Sequence, residues 1–287
     1  MARKRLEAIV LRDNSVAHDG LKAGHGLSML LRTSVGDIIF DCGDSAETWE
    51  NADAIGVDLT EVGCVALSHG HYDHTNGLPA LLQRLGGATV IGHPAIFEAR
   101  WADRKGDERE YIGPPATRAE LEKMGAVFAL SADSVEVAPD VITTGEVPRI
   151  SDLAPESPHL LVERDGQVVE DDFVDDISLI ARMDEGDVLL TGCAHAGLVN
   201  IVAQATELTG RCPVSIAGGT HLARETEDRI AAVADDIYER GVQQIVPMHC
   251  SGDRGAELLK RHFAGETLRA GVGSTIVADA TGRITVQ

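Results

Sequence analysis

The chain has 287 residues, 44% of them hydrophobic, which is enough for one large domain or two packed halves. Its 46 acidic and 25 basic residues give a formal net charge of -21, which opposes general affinity for nucleic acid or anionic membrane. Aromatic residues make up only 3%, so the core must rest on Leu, Ile, Val and Ala. Lysine occurs only at Lys4, Lys22, Lys105, Lys123 and Lys260. An acidic, lysine-poor surface fits a salty cytoplasm and a high-GC genome equally well. The five cysteines (Cys42, Cys64, Cys193, Cys212 and Cys250) lack CxxC spacing and are odd in number, as expected of reduced thiols in a cytoplasmic protein.

The basic start, Met1-Ala2-Arg3-Lys4-Arg5, runs into a short strand over residues 6–11 that Glu7 interrupts, so no secretory signal is expected. No apolar run has the length of a membrane span. Residues 27–31 and 37–40, joined by the polar turn Ser34-Val35-Gly36, read as a hairpin. Residues 51–55 read as helix, and 62–67 as a buried strand ending at a histidine cluster. Pro79 should open a helix over 79–85, with a strand at 88–91 after it. Residues 98–115 are charged and irregular, and an insertion or lid is expected within 98–118. A short helix at 118–124 precedes strands at 127–130, 135–137 and 141–143. The Pro-, Ser- and acid-rich loop 145–158 is a second expected lid or seam.

In the second half, residues 160–163, 177–181 and 188–191 read as strands, with an acidic stretch at 170–176. Helix and strand then alternate: helix 199–208 with strand 214–217, helix 224–240 with strand 245–246, and helix 256–263 with extended 268–277. Hairpins followed by this alternation define an α/β protein with mixed sheets, expected as a single domain over 1–287.

His69, His71, Asp73 and His74 offer four nitrogen and oxygen donors within six residues, directly after a buried strand. Residues two apart on extended chain point the same way, so His69 and His71 can grip one ion. Asp73 and His74, where the chain turns, can reach a second, with Gly70 and Gly77 allowing tight turns. His195, His221 and His249 each follow a strand, and sites in α/β sheets form beyond the carboxyl ends of strands. His25, between Gly24 and Gly26, can approach the same cleft. Cys250 and Ser251 lie in a turn whose amides could hold an anionic group. Two adjacent ions would acidify a water and polarise a phosphoryl or carbonyl oxygen. Asp73 could also orient that water, and Asp41 could fix the tautomer of a ligating histidine. No Walker-type phosphate loop and no GxSxG elbow is present.

The run Ser68-His69-Gly70-His71-Tyr72-Asp73-His74-Thr75-Asn76-Gly77-Leu78 resembles the signature of the metallo-β-lactamase superfamily, and Asp37-Ile38-Ile39-Phe40-Asp41-Cys42-Gly43 resembles its preceding strand and turn. Thr191-Gly192-Cys193-Ala194-His195-Ala196-Gly197, Gly218-Gly219-Thr220-His221-Leu222 and Pro247-Met248-His249-Cys250-Ser251-Gly252 are similar to one branch. Its members are described as 7,8-dihydropterin-6-methyl-4-(β-D-ribofuranosyl)aminobenzene-5'-phosphate synthases.

The resemblance implies a four-layer αββα sandwich of two mixed β-sheets flanked by helices, with two divalent ions at one edge. Zinc is the expected metal, with manganese or iron as alternatives. It assigns His69 and His71 to the first ion, and Asp73 and His74 to the second. The superfamily's bridging aspartate is replaced by Cys193, and Asp175 and Asp176 stand where a third histidine is expected. His195 and His221 are therefore expected as further ligands, Asp41 and Asp176 as supports of the ligands, and His249, Cys250, Ser251 and His25 on the substrate side. Asp73, His195 and His249 are the expected catalytic residues.

The implied function is a cytoplasmic hydrolase or synthase acting on a small anionic, phosphate-bearing or pterin-like substrate through a metal-activated water. The alternatives are a lactonase or phosphodiesterase with the same centre, and a non-hydrolytic di-iron redox or metal-binding protein. Further copies of the chain are the one macromolecular partner considered; a nuclease would carry a basic groove that this sequence lacks.

Overall fold

A computed structural model describes residues 4–33, 35–103 and 109–287. The first three residues, the turn residue Ser34 and the charged run 104–108 lie outside the described residues. The first large sheet has eight strands in the order Ile284–Val286, Thr275–Ala278, Leu6–Arg12, Ser28–Thr33, Gly36–Phe40, Val62–Ala66, Ala88–Gly92 and Ala126–Leu130. The expected hairpin is there, with Thr33 opposite Gly36, and from Gly36–Phe40 onward the strands are parallel. The second sheet has seven strands, in the order Glu266–Thr267, Gln244–Met248, Ser215–Gly219, Asp187–Thr191, Leu179–Arg182, Val141–Thr143 and Glu136–Ala138. Its first four strands run parallel.

Alternation along the strands builds the layers, because successive side chains face opposite ways. Met29 and Leu31 join Phe40, Leu190, Ala217 and Val246 in a buried cluster between the two sheets. Leu30, with Ile39 and Val65, faces outward onto Trp49, Leu78, Leu81 and Leu82 of the helices Glu47–Ile55 and Leu78–Leu85. On the far side, Leu189, Ile216 and Ile245 meet Val202, Val233, Ile237 and Leu259 of the helices Leu198–Thr209, Glu227–Arg240 and Gly252–His262. The result is the α/β sandwich, with mixed sheets flanked by helices.

Two expectations are corrected. The charged stretch after Glu98 is not irregular throughout: among its described residues Arg100–Asp103 pairs with Arg109–Tyr111, and these join Leu160–Arg164 and Gln167–Glu170 in a third, four-stranded sheet. Charge concealed this strand because Arg100 is itself buried, bonded to Asp171 and Asp175. Residues 268–277 are likewise not continuously extended. Strands Glu266–Thr267 and Thr275–Ala278 belong to different sheets, and the chain turns between them at Gly273, whose φ is 97°. Among the described residues no helix is long and apolar enough to cross a membrane.

Candidate metal centre

The parallel strands Asp187–Thr191, Ser215–Gly219 and Gln244–Met248 lie side by side, with Thr191 opposite Gly218 and Gly219 opposite Met248. Their carboxyl ends therefore share one edge, where His195, His221 and His249 follow. The strand Val62–Ala66 of the other sheet brings in the histidine cluster. Seven non-glycine described residues have positive φ, and five cluster here: Asp41 (59°), Phe173 (51°), Ala194 (61°), His221 (52°) and His249 (47°). Such conformations cost about 1 kcal/mol or more each and persist where surrounding structure enforces them.

Gly70 lies in a bend and Gly77 in a turn, as expected, and close packing makes a second demand for glycine at both. Gly70 and Gly77 do not adopt positive φ; they leave room. A Cβ would fall 2.2 Å from the Ile96 carbonyl oxygen at Gly70, and 2.0 Å from that of Cys42 at Gly77. The Gly77 carbonyl accepts from Trp49 Nε1 at 2.8 Å, which ties this turn to the flanking helix.

Two groups of donors converge around the histidine cluster, and a third, Cys193 with His221 and Cys250, adjoins them. In the first, the rings of His69, His71 and His195 lie 4.6, 4.9 and 5.1 Å apart, and His69 Nε2 faces His71 Nδ1 at 3.0 Å. In the second, His74 Nε2 lies 3.2 Å from His249 Nε2 and 3.9 Å from Asp73 Oδ2, while His249 Nε2 is 3.2 Å from Asp73 Oδ2. Cys193 Sγ, 3.1 Å from His74 Nε2, belongs with both sets: ligand atoms of Asp73, His74, Cys193 and His249 all lie within 4.8 Å of one another, as do those of His69, Cys193 and His195. The His69 and His74 rings are 4.3 Å apart, so the groups are adjacent.

These residues fit metal ions. Tetrahedral ligands held 2.0–2.3 Å from zinc lie roughly 3.3–3.8 Å from each other, close to the spacings seen. His195 is buried with neither ring nitrogen bonded, and His71 Nε2 and His221 Nδ1 also lack partners. Leaving such groups bare costs about 1–3 kcal/mol each, which a cation bound at His195 would relieve in part.

Hydrogen bonds also fix the tautomers. His74 Nδ1 donates to Asp41 Oδ2 at 2.6 Å. Ser68 Oγ donates to Asp41 Oδ2 at 2.7 Å, so it accepts from His69 Nδ1 at 2.9 Å. His249 Nδ1 donates to Asn14 Oδ1 at 2.9 Å. In His69 and His249 Nε2 is left as a lone pair aimed into the cluster; in His74, whose Nε2 points the same way, a bound cation would have to displace the proton that the neighbouring carboxylates favour. Burial, reinforced by the neighbouring imidazoles, holds His69 and His195 well below the ordinary histidine range. Burial also lowers His71, to about 3. At His74 burial is outweighed by Asp41 and Asp73, which raise it to about 9.

Each remaining expected site residue has a definite place. His249, expected on the substrate side, meets Asp73 and His74. His221, expected as a ligand, gathers with Cys193 and Cys250 in a further set of donors whose ligand atoms lie within 4.8 Å of one another, its ring 4.1 Å from that of His195. His25 lies at the mouth, 58% exposed, with Nε2 3.4 Å from Asp73 Oδ2. Ser251 turns inward, buried, and accepts from Thr220 Oγ1 at 2.9 Å. Asp176 Oδ2 accepts from the Ala196 amide at 2.7 Å and so holds the turn after His195. Sequence reasoning missed Asn14, Ser68, Arg100 and Phe173, and did not place Cys193 among the donors. Phe173 stacks on His195 at 4.0 Å with the planes 2° apart.

The family model described as the metallo-β-lactamase superfamily matches residues 21–197, and the chain belongs to that superfamily. A crystal structure of a metal-dependent hydrolase of the β-lactamase superfamily superposes with a TM-score of 0.81 at 29% identity, covering 94% of this chain and 98% of that one. The 7,8-dihydropterin-6-methyl-4-(β-D-ribofuranosyl)-aminobenzene-5'-phosphate synthase of Methanocaldococcus jannaschii is 26% identical over 262 residues, 88% of this chain and 89% of that protein. An uncharacterised protein of the same organism is 29% identical over 244 residues, 85% of this chain and 90% of its own length.

Proposed function

We propose that the chain is a single-domain, dinuclear metal-dependent hydrolase or synthase of the cytoplasm, acting on a small anionic substrate of the phosphate-bearing or pterin-like class. The convergence of His69, His71 and His195 beside Asp73, His74 and His249, with Cys193 between them, carries this reading. His69, His71 and His195 would hold one ion, and Asp73, His74 and His249 the other. Thiolate and imidazole donors favour zinc, and Asp73 as the one carboxylate argues against a di-iron centre. When bound, the ions supply Lewis acidity and a water acidic enough to ionise near neutral pH. The chain's own part is to position and insulate. Asp41 and Asn14 hold their histidines in the ligating tautomer, and Phe173 walls off His195 from solvent. His25 stands at the mouth, where it can meet a negatively charged group. The substrate class draws support from the 26% identical synthase.

The deciding experiment is elemental analysis of protein purified without added metal, followed by screening of phosphate monoesters, phosphodiesters and lactones. About two zinc ions per chain and turnover of a phosphate ester support the proposal; no bound metal would end it.

Two further results are expected. Asp41→Asn keeps the side-chain shape but removes the charge behind His74, so affinity for one ion should fall about 10–100-fold in a chelator competition. His25→Ala should raise KM for an anionic substrate while metal content stays at the wild-type level; loss of metal in this variant would place His25 among the ligands instead.

A further inference from the structure

All five cysteines are free, and two of them are brought together. Cys193 follows the strand Asp187–Thr191 and Cys250 follows Gln244–Met248, with Ser215–Gly219 between them in the sheet. They meet across the tip of that middle strand because it ends in glycine. A Cβ on Gly219 would stand 2.6 Å from Cys250 Sγ and 3.1 Å from Cys193 Cα. Without it, the two sulfurs and a ring nitrogen of His221 lie within 4.8 Å of one another. Cys250 Sγ also accepts from the His221 amide at 3.2 Å and reaches the Cys193 carbonyl at 3.4 Å. The two differ in access: Cys193 is buried, whereas Cys250 is half-buried.

We propose that Cys250 is a hydroperoxide-reactive modification site and that Cys193 resolves it, forming a reversible Cys193–Cys250 disulfide that withdraws Cys193 from the metal centre. The Cys250 sulfur attacks the O–O bond, forming a sulfenic acid and releasing the alcohol (water, for hydrogen peroxide). The Cys193 sulfur then attacks the Cys250 sulfur. The S–S bond forms and the sulfenic hydroxyl leaves with the thiol proton as water. Two thiols are oxidised by two electrons, and one hydroperoxide is reduced. Closure needs the sulfurs to approach from within 4.8 Å to about 2.05 Å, and the bare Gly219 leaves that path open. Cys193 Sγ would then leave His74 Nε2, which it meets at 3.1 Å. The consequence for metal rests on the function proposed above; the thiol chemistry does not.

The test exposes chelator-stripped and metal-loaded protein to hydrogen peroxide, then counts thiols after denaturation and maps non-reduced peptides by mass. Stripped wild type is expected to fall from five thiols to three, with one linked peptide pair containing Cys193 and Cys250, and dithiothreitol should restore all five. Cys250→Ser and Cys193→Ser should each abolish the linked pair, and bound metal should slow its formation. A different linked pair, irreversible thiol loss, or five unreacted thiols would overturn the proposal. If the disulfide forms in a protein that binds no metal, the thiol site stands and the metallohydrolase reading falls. If metal binds and no disulfide forms, the reverse holds.

Discussion

Alanine at both His69 and His71 is expected to remove at least one ion per chain and to lower turnover of any substrate about 10³-fold or more, because a water without its metal has a pKa near 15.7 rather than about 7. The pair supplies two of the three imidazoles in its group, leaving His195 and Cys193, too few for a tetrahedral site. The neighbouring group keeps Asp73, His74 and His249 in place, since Asp41 and Asn14 hold the last two rings independently of His71. Elemental analysis should therefore show a partial loss of metal, with a circular dichroism spectrum matching wild type. Full metal content in this variant would refute the proposed ligand set, whereas complete loss would mean that the two sites fill only together.

Much of this candidate centre was legible because residues able to hold a metal must be of particular types at particular places. His69, His71, Asp73 and His74 fall within six residues, and the three later histidines each follow an apolar run, so both signals survive in one dimension. The partition among the later histidines did not survive. Whether His221 or His249 reaches Asp73 depends on the positive φ of those two residues and on how far each turn projects past its strand, which no spacing rule encodes. Asn14 was invisible for a related reason, since its bond to His249 joins residues 235 positions apart. The third sheet was missed because Arg100-Trp101-Ala102-Asp103 reads as surface; only the buried carboxylates of Asp171 and Asp175 make an interior arginine tolerable there.

That arginine should be the most costly single side chain to remove outside the cluster. Arg100 Nε donates to Asp171 Oδ2 at 2.9 Å, and Nη2 meets Asp175 Oδ1 at 2.7 Å, all three groups being shielded from solvent. Each carboxylate then reaches a loop of the centre. Asp175 Oδ2 accepts from the Gly70 amide at 2.8 Å, between His69 and His71, and Asp171 Oδ1 accepts from the amide of Phe173, the ring stacked on His195. Arg100→Met keeps most of the stem volume but leaves two buried carboxylates without their cation, at a cost of about 3–5 kcal/mol. For a chain of this size that corresponds to a fall in Tm of roughly 6–20 °C. The deficit should depend on pH in a defined sense. Burial already raises the Asp175 carboxyl to about 6 against the opposing pull of Arg100, and losing Arg100 must raise it further. A carboxyl whose folded pKa exceeds its unfolded value loses stability as pH rises from the unfolded value through the folded one. Wild type loses this stability as well up to about pH 6, so the variant's deficit should stay level below about pH 6 and widen from there toward pH 8, as thermal melts across pH 4 to 8 would show. Adding Asp175→Asn to Arg100→Met should recover part of the loss and flatten the pH dependence. A Tm within a few degrees of wild type at pH 8 would mean that Arg100 is not the element joining the third sheet to the metal-binding loops.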